Sequence, residues 1–280
     1  EGFLQFLFTK DKELIISGPG GVGKTFLMAH MIDTVLPQYQ ATCSMMGIKP
    51  EYDSVVMTAT TNKAAEVLAQ STQRPAETIH SFLNLKVQDD FITGQSKLIK
   101  TGAWYVHDKK IIFIDECSMI DTQLYRMIIE GTVDCKIVYV GDHSQLAPVM
   151  EKLSPIYLKD LPQYNLTEPM RNAHQPALMA VCQQLRETVE TGVFRPIQIV
   201  PGVIDLVSDQ EAEQAVQLGF STENNNRILA YTNKRVTEFN DYIRDLRQYS
   251  AQYVIGEELI NNSMVKIGKA ALSVEEEVRI

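Results

Sequence analysis

Long apolar runs are missing from this 280-residue chain. No uninterrupted stretch approaches the roughly 18 residues needed to cross a bilayer, so no membrane-spanning helix is expected. The first residues lack a basic segment followed by an apolar run and a cleavage site. No secretory signal is therefore expected, and the setting is read as cytoplasmic. Disulfide and zinc patterns are missing too. Cys43, Cys117, Cys135 and Cys182 are scattered without CxxC spacing, and His30, His80, His107, His143 and His174 lack zinc-ligand spacing. The cysteines read as free thiols in a reducing compartment. Positive charge is in deficit: 26 Lys and Arg stand against 35 Asp and Glu, giving a net charge of −9 and a pI near 5.1. A wholly basic protein that coats nucleic acid is excluded, although a local groove can still take a phosphate backbone. No repeat or low-complexity segment stands out.

What is present is an ordinary globular composition, in a chain long enough for two domains with cores. Leu14–Ser17, Ser54–Ala59, Ile111–Asp115 and Lys136–Gly141 read as buried parallel strands. Phe26–Leu36, Asn62–Gln70 and Thr122–Glu130 carry apolar residues at helical spacing between them. That alternation predicts a parallel sheet covered by helices. Residues 86–108 interrupt the pattern and read as an inserted hairpin, with its turn at Thr93-Gly94-Gln95-Ser96. A second region begins near residue 166. It predicts helices at Ala177–Thr191 and Lys234–Arg247, and strands at Val203–Val207 and Arg227–Tyr231. Both ends look cut: Glu1-Gly2-Phe3-Leu4 opens in mid-helix, and Val278-Arg279-Ile280 stops as a strand forms. The sequence thus reads as a piece of a longer protein.

Gly18-Pro19-Gly20-Gly21-Val22-Gly23-Lys24-Thr25 fits the phosphate-loop pattern GxxxxGK[ST] at every fixed position, between the Leu14–Ser17 strand and a helix. Backbone N–H groups of such a loop can wrap a polyphosphate, and the following helix offers its positive end. Lys24 would reach the β- and γ-phosphates of ATP, and the Thr25 hydroxyl would ligate Mg²⁺. About 90 residues downstream, the apolar strand Ile111-Ile112-Phe113-Ile114 ends in Asp115-Glu116. Asp115 would hold the Mg²⁺ shell. Glu116 would polarise the attacking water as general base. The next strand runs into Gly141-Asp142-His143-Ser144-Gln145, where an amide could touch the γ-phosphate or that water.

The order of segments resembles superfamily 1B DNA helicases of the RecD-like and phage Dda-like kind. Ala59-Thr60-Thr61-Asn62-Lys63-Ala64-Ala65-Glu66-Val67-Leu68 is similar to their APTxxAAxxL motif Ia, with Thr60 in place of the usual proline. Thr78-Ile79-His80-Ser81-Phe82-Leu83 resembles motif Ib, Asp115-Glu116-Cys117-Ser118-Met119 resembles DExSM, and Gly141–Val149 resembles GDxxQLxPV. Leu166-Thr167-Glu168-Pro169-Met170-Arg171 resembles LTExxR, and Ala230-Tyr231-Thr232-Asn233-Lys234-Arg235-Val236 resembles a TNxxV strand end. Motifs V and VI do not occur in these residues, and the family's adenine-reading glutamine would precede Glu1.

The resemblance implies an α/β P-loop NTPase. Residues 1–165 would form a first RecA-like domain with a hairpin insertion at about 86–108. Residues 166–255 would form part of a second RecA-like domain, and residues 256–280 would begin a further insertion. Gln145 would sense the γ-phosphate, and Arg171 would be an arginine finger reaching across from the second domain. Thr60, Thr61, Asn62, Lys63, His80 and Ser81 would line the path of single-stranded DNA. Thr232, Asn233 and Lys234 would do so on the second domain. Phe91, near the hairpin turn, would be the wedge that separates strands, ahead of Trp104. ATP closing and reopening the cleft would drive 5′→3′ movement. The partners would be single-stranded DNA, duplex junctions, and single-strand-binding or replication and recombination proteins, in the host cytoplasm if phage-encoded. A regulatory GTPase is disfavoured, because neither Asn62-Lys63 nor Asn233-Lys234 has Asp two residues on. The rival is a non-catalytic phosphate-loop domain that binds nucleotide and DNA as a switch or scaffold.

Overall fold

The computed structural model describes residues 1–52, 54–90, 95–171, 174–221, 226–249, 252–261, 265–267, 270–272 and 276–280. They divide into two compact units, Glu1–Phe194 and Arg195–Ile280.

The first unit opens with α1 (Gly2–Phe8), β1 (Glu13–Ser17) and α2 (Lys24–His30). A π turn (Met31–Val35) leads into α3 (Leu36–Met45). Then come β2 (Ser54–Ala59), α4 (Asn62–Thr72), β3 (Glu77–Thr78) and the short α5 (Ile79–Phe82). The hairpin β4 (Leu85–Asp90) and β5 (Gln95–Lys100) is followed by β6 (His107–Asp108), β7 (Lys110–Asp115) and α6 (Thr122–Glu130). The unit closes with β8 (Thr132–Val133), β9 (Lys136–Gly141), β10 (Gln163–Asn165) and α7 (Pro176–Thr191).

Six strands pair in parallel in the order β10-β1-β9-β7-β2-β3. Side chains alternate across the sheet because strand periodicity is two. Leu14, Ile16, Phe113, Val138 and Val140 join one core with residues of α1 to α4. Ile15, Ile112, Ile114, Ile137 and Tyr139 join the other, under α5 and α6. The four inner strands, β1, β9, β7 and β2, are apolar on both faces because both are covered, whereas the edge strand β10 is exposed. The register aligns Ser17 with Gly141 and Ala59 with Asp115. The loops after β1, β2, β7 and β9 therefore emerge from one edge, where open parallel sheets bind ligands.

Three local features depart from the sequence reading. The predicted Phe26–Leu36 helix is interrupted at Met31–Val35, where it widens into a π turn before continuing. Pro37, in the first turn of α3, has no N–H to return to the preceding turn. The hairpin forms, but its second strand starts at Gln95, inside the predicted turn, with Asp90 opposite Gln95. In the second unit the predicted strands Val203–Val207 and Arg227–Tyr231 do not form. Ile204 makes only an isolated bridge to Val200, and Leu229 and Tyr231 are fully exposed. A strand exists only through its pairing, and neither segment forms a ladder with another strand among the described residues.

The second unit instead holds α8 (Asp209–Phe220) and α9 (Asn233–Leu246). It also has two small antiparallel ladders, β11 (Glu258–Ile260) with β14 (Glu277–Arg279) and β12 (Val265–Ile267) with β13 (Ala270–Leu272). The sequence reading missed α8, although Ser208 and Glu211 form a reciprocal capping box at its start.

Candidate active site

The phosphate loop hangs between β1 and β9. Gly18 N–H donates to Gly141 O at 3.1 Å, and Leu166 N–H donates to Ser17 O at 2.8 Å. A Cβ on Gly18 would lie 2.5 Å from Leu166 O, so no side chain fits there. Gly21 and Gly23 have φ of +82° and +86°, a conformation open to glycine at no steric cost. Lys24 Nζ donates to Gly18 O at 2.8 Å and Pro19 O at 3.0 Å. The ammonium is thus folded onto its own loop, poised at the concavity that Gly18 to Gly23 enclose. Thr25 follows at the start of α2, half-buried.

Asp115 and Glu116 stand at the tip of β7. Burial above all, with the neighbouring Glu116 charge, pushes the Asp115 carboxyl up to about 6, and the Glu116 N–H and Lys24 offset part of that. Glu116 adopts the left-handed conformation, φ 54° and ψ 40°, which is costly for a residue with a side chain. Three bonds hold its peptide. Its N–H donates to Asp115 Oδ1 at 2.9 Å. Its carbonyl accepts from Met119 N and from Thr60 Oγ1, each at 3.2 Å. Cys117 is buried behind the acids with Sγ 3.3 Å from Tyr157 OH. Burial pushes its thiol up to about 12, so it is inert at neutral pH.

The third wall is the turn after β9. Asp142 is buried, and its carboxylate accepts from Ser144 N at 3.1 Å while its carbonyl accepts from Gln145 N at 3.1 Å. These bonds set the direction of Gln145, whose Nε2 lies 3.9 Å from where a Cβ on Gly20 would stand. Arg186 on α7 clamps Asp142 at 2.8 Å and also reaches Glu190 at 3.4 Å. Glu190 lies 3.3 Å from His143 Nε2. Sequence reasoning missed Arg186. It sits 44 positions from Asp142, in no motif, and only the placement of α7 brings it in.

Arg171, expected to reach across from a second domain, belongs to the first compact unit. Its N–H and that of Met170 donate to Gly21 O at 3.0 and 2.8 Å. Its backbone therefore rests on the phosphate loop, and its side chain is exposed. Lys24, Asp115, Glu116, Gln145 and Arg171 thus belong to segments that meet at the loop Gly18–Thr25, with Pro19 and Val22 completing it.

The residues proposed for DNA fall in three places. Thr61 caps α4 by accepting from Ala64 N at 3.2 Å, with Thr60 before it and Asn62 and Lys63 in the first turn. Lys63 pairs with Glu66 at 3.2 Å. His80 and Ser81 lie on α5, which Thr78 caps. Burial lowers the pKa of His80, with Asp121 opposing, so the ring is neutral at pH 7. In the second unit Thr232 caps α9 by accepting from Arg235 N at 3.2 Å, and Thr232, Asn233 and Lys234 are exposed. Phe91 lies outside the described residues. Trp104 packs against the core, with Lys100 Nζ 4.4 Å from its ring centroid.

The donor chemistry fits Mg²⁺ held largely by its substrate. Thr25 and Asp115 offer hard oxygen ligands of the kind Mg²⁺ takes alongside phosphates. A cation would offset the buried Asp115 charge. The hydroxyls of Ser17, Ser118 and Ser144 are buried without a protein partner, and each belongs to a segment bordering the loop. Among the described residues no three His, Cys, Asp or Glu gather as a self-sufficient metal site.

The parallel sheet, its loop after β1 and the acids at the tip of β7 define an α/β P-loop NTPase domain of RecA-like fold. A family profile described as an AAA domain matches residues 5–151 of the 280, and the chain belongs to that family. The ATP-dependent DNA helicase dda of Enterobacteria phage T4 is 24% identical over 269 residues, covering 90% of this chain and 56% of the relative. The chain therefore spans little more than half of that relative's length. The crystal structure of Bacteroides sp Pif1 in complex with ADP-AlF4 is similar in fold, with a TM-score of 0.51 and 14% identity, covering 100% of this chain and 62% of the other. The resemblance to superfamily 1B helicases, read from motifs, holds for family and fold. No helix among the described residues is long and apolar enough to cross a membrane.

Proposed function

We propose that this chain carries the ATP site and part of the DNA path of an ATP-dependent DNA helicase that moves 5′→3′ on single-stranded DNA. One observation carries the reading. Lys24 on the loop, Glu116 just after β7 and Gln145 beside Gly20 come from three separate segments, and together they would furnish the γ-phosphate corner. A nucleotide-binding switch needs the loop but not a general base and an amide aimed at the third phosphate.

In this reading residues 1–165 are the first RecA-like domain, residues 166–255 belong to a second whose opening stretch, 166–194, packs within the first compact unit, and residues 256–280 begin an insertion. ATP enters the loop, and Lys24 leaves the carbonyls of Gly18 and Pro19 for the β- and γ-phosphates. Thr25 and Asp115 would hold Mg²⁺, and the cation would supply neutralisation of phosphate charge. Glu116 accepts a proton from the attacking water, and Gln145 orients it. Arg171, already seated on the loop by its backbone, turns its guanidinium to the transition-state charge. Thr61, Asn62 and Lys63 at α4, His80 and Ser81 at α5, and Thr232, Asn233 and Lys234 at α9 grip the strand without regard to sequence. His80, being neutral, contributes a hydrogen bond rather than charge.

The test is steady-state ATP hydrolysis by the full-length protein, with and without single-stranded DNA, beside Glu116→Gln. Hydrolysis is expected to rise with DNA and to fall by ~10²–10⁴ in the variant, with nucleotide still bound. Unwinding of duplexes carrying a 5′ or a 3′ single-stranded tail then reads polarity. Nucleotide binding without DNA-stimulated turnover would sink the helicase reading and leave a switch.

A further inference from the structure

We propose that Thr60 is a positioning residue that couples the DNA grip at the start of α4 to the conformation of Glu116. The inference rests on the helicase reading above. Glu116 occupies the left-handed region, where a side chain is disfavoured, so its peptide stays there only while its bonds persist. Two of those bonds are local, from Glu116 N to Asp115 Oδ1 and from Met119 N to Glu116 O. The third comes from Thr60 Oγ1, 56 positions away, at 3.2 Å.

Strand register delivers that hydroxyl. Ala59 stands opposite Asp115 across β2 and β7, so the next residue of each strand comes alongside. Thr58, two residues earlier on β2, makes a similar bond, its Oγ1 donating to Phe113 O at 2.8 Å, fully buried. Thr60 is only half-buried and adjoins Thr61, whose hydroxyl caps α4. Thr60 thus adjoins the capped first turn of α4 through the chain and the carbonyl of the general base through its hydroxyl. A phosphate that draws on the N–H groups of Asn62 and Lys63 pulls on the same short segment.

The experiment uses the full-length protein with Thr60→Val, Thr60→Ser and, as a buried control, Thr58→Val. ATP hydrolysis is measured at saturating ATP over a titration with an oligo-dT strand. Thr60→Val is expected to lower the DNA-saturated kcat by ~3–10-fold, the worth of one hydrogen bond. The KM for ATP and the half-stimulating strand concentration should stay within ~2-fold, as for an interaction outside substrate binding. Thr60→Ser should restore the rate. Thr58→Val should reduce stability without changing the DNA-saturated kcat. Amide hydrogen exchange across residues 115–119 adds a readout free of turnover: the strand should slow exchange in the wild type and not in Thr60→Val.

An unchanged DNA-saturated kcat in Thr60→Val overturns the inference. So does a loss confined to strand affinity, which would make Thr60 a DNA contact alone. If the wild type shows no DNA stimulation, the helicase reading fails and this inference falls with it. If the wild type is stimulated and Thr60→Val equally so, only the inference fails.

Discussion

Two helices in this chain begin with Thr-Asn-Lys, and they are seated differently. At α4, Thr61 caps the helix, Ala65 and Leu68 are buried in the first unit, and the neighbouring Thr60 bonds to the strand that carries the acids. At α9, Thr232 makes the same cap, but the helix buries no residue. It is held by surface contacts within its own unit, such as Gln217 Nε2 to Tyr242 OH at 3.0 Å and Arg247 Nε to Phe220 O at 3.0 Å. The capping physics is one and the same, because a threonine oxygen satisfies an N–H that the first turn leaves open. What differs is the packing: α4 places Leu68 in the core that also holds β1 and β7, whereas α9 contributes no buried residue to a core.

The contrast can be broken first at the helix faces. Leu68→Ala should destabilise the protein by ~2–5 kcal/mol through loss of burial and a cavity. Val236→Ala on α9 should change stability by no more than ~0.5 kcal/mol. Urea unfolding of both variants reads the difference, and equal losses would mean that α9 has a core of its own.

Next come the caps. Thr61→Ala should lower global stability by ~1 kcal/mol. Thr232→Ala should speed hydrogen exchange in the first turn of α9 while leaving the main unfolding transition in place. A comparable shift of that transition in both variants would erase the distinction.

The smallest effect tests what the two helices share. If both grip phosphate, Lys63→Ala and Lys234→Ala should each flatten the slope of log K against log salt for a single strand by ~0.7, uniformly across sequences. A slope that changes for only one of them would assign the strand to that helix alone.

How much was legible followed the range of the interaction. β2, β9 and α6 were read to the residue, because apolar runs and the helical spacing of apolar residues are local signals. The π turn was not, since Pro37 acts through the preceding turn rather than through a hydrophobic pattern. The absent strands Val203–Val207 and Arg227–Tyr231 failed for the opposite reason. Their composition suits a strand, but pairing is a property of two segments, and sequence shows only one. The Arg186–Asp142 clamp carried no local signal at all.

The sequence by itself determined the phosphate loop, the acids at the strand tip, the amide in the turn after β9 and the threonine caps. Each depends on glycine, charge or hydroxyl placed within a few residues of the group it serves. Only the tertiary structure decided that a hydroxyl 56 positions away bonds the carbonyl of the left-handed Glu116, that Arg171 rests its backbone on Gly21, and that Arg186 clamps the turn of Gln145. Those contacts arise from parallel strand register and from helices folding back onto the sheet edge, and chain connectivity does not encode either one locally.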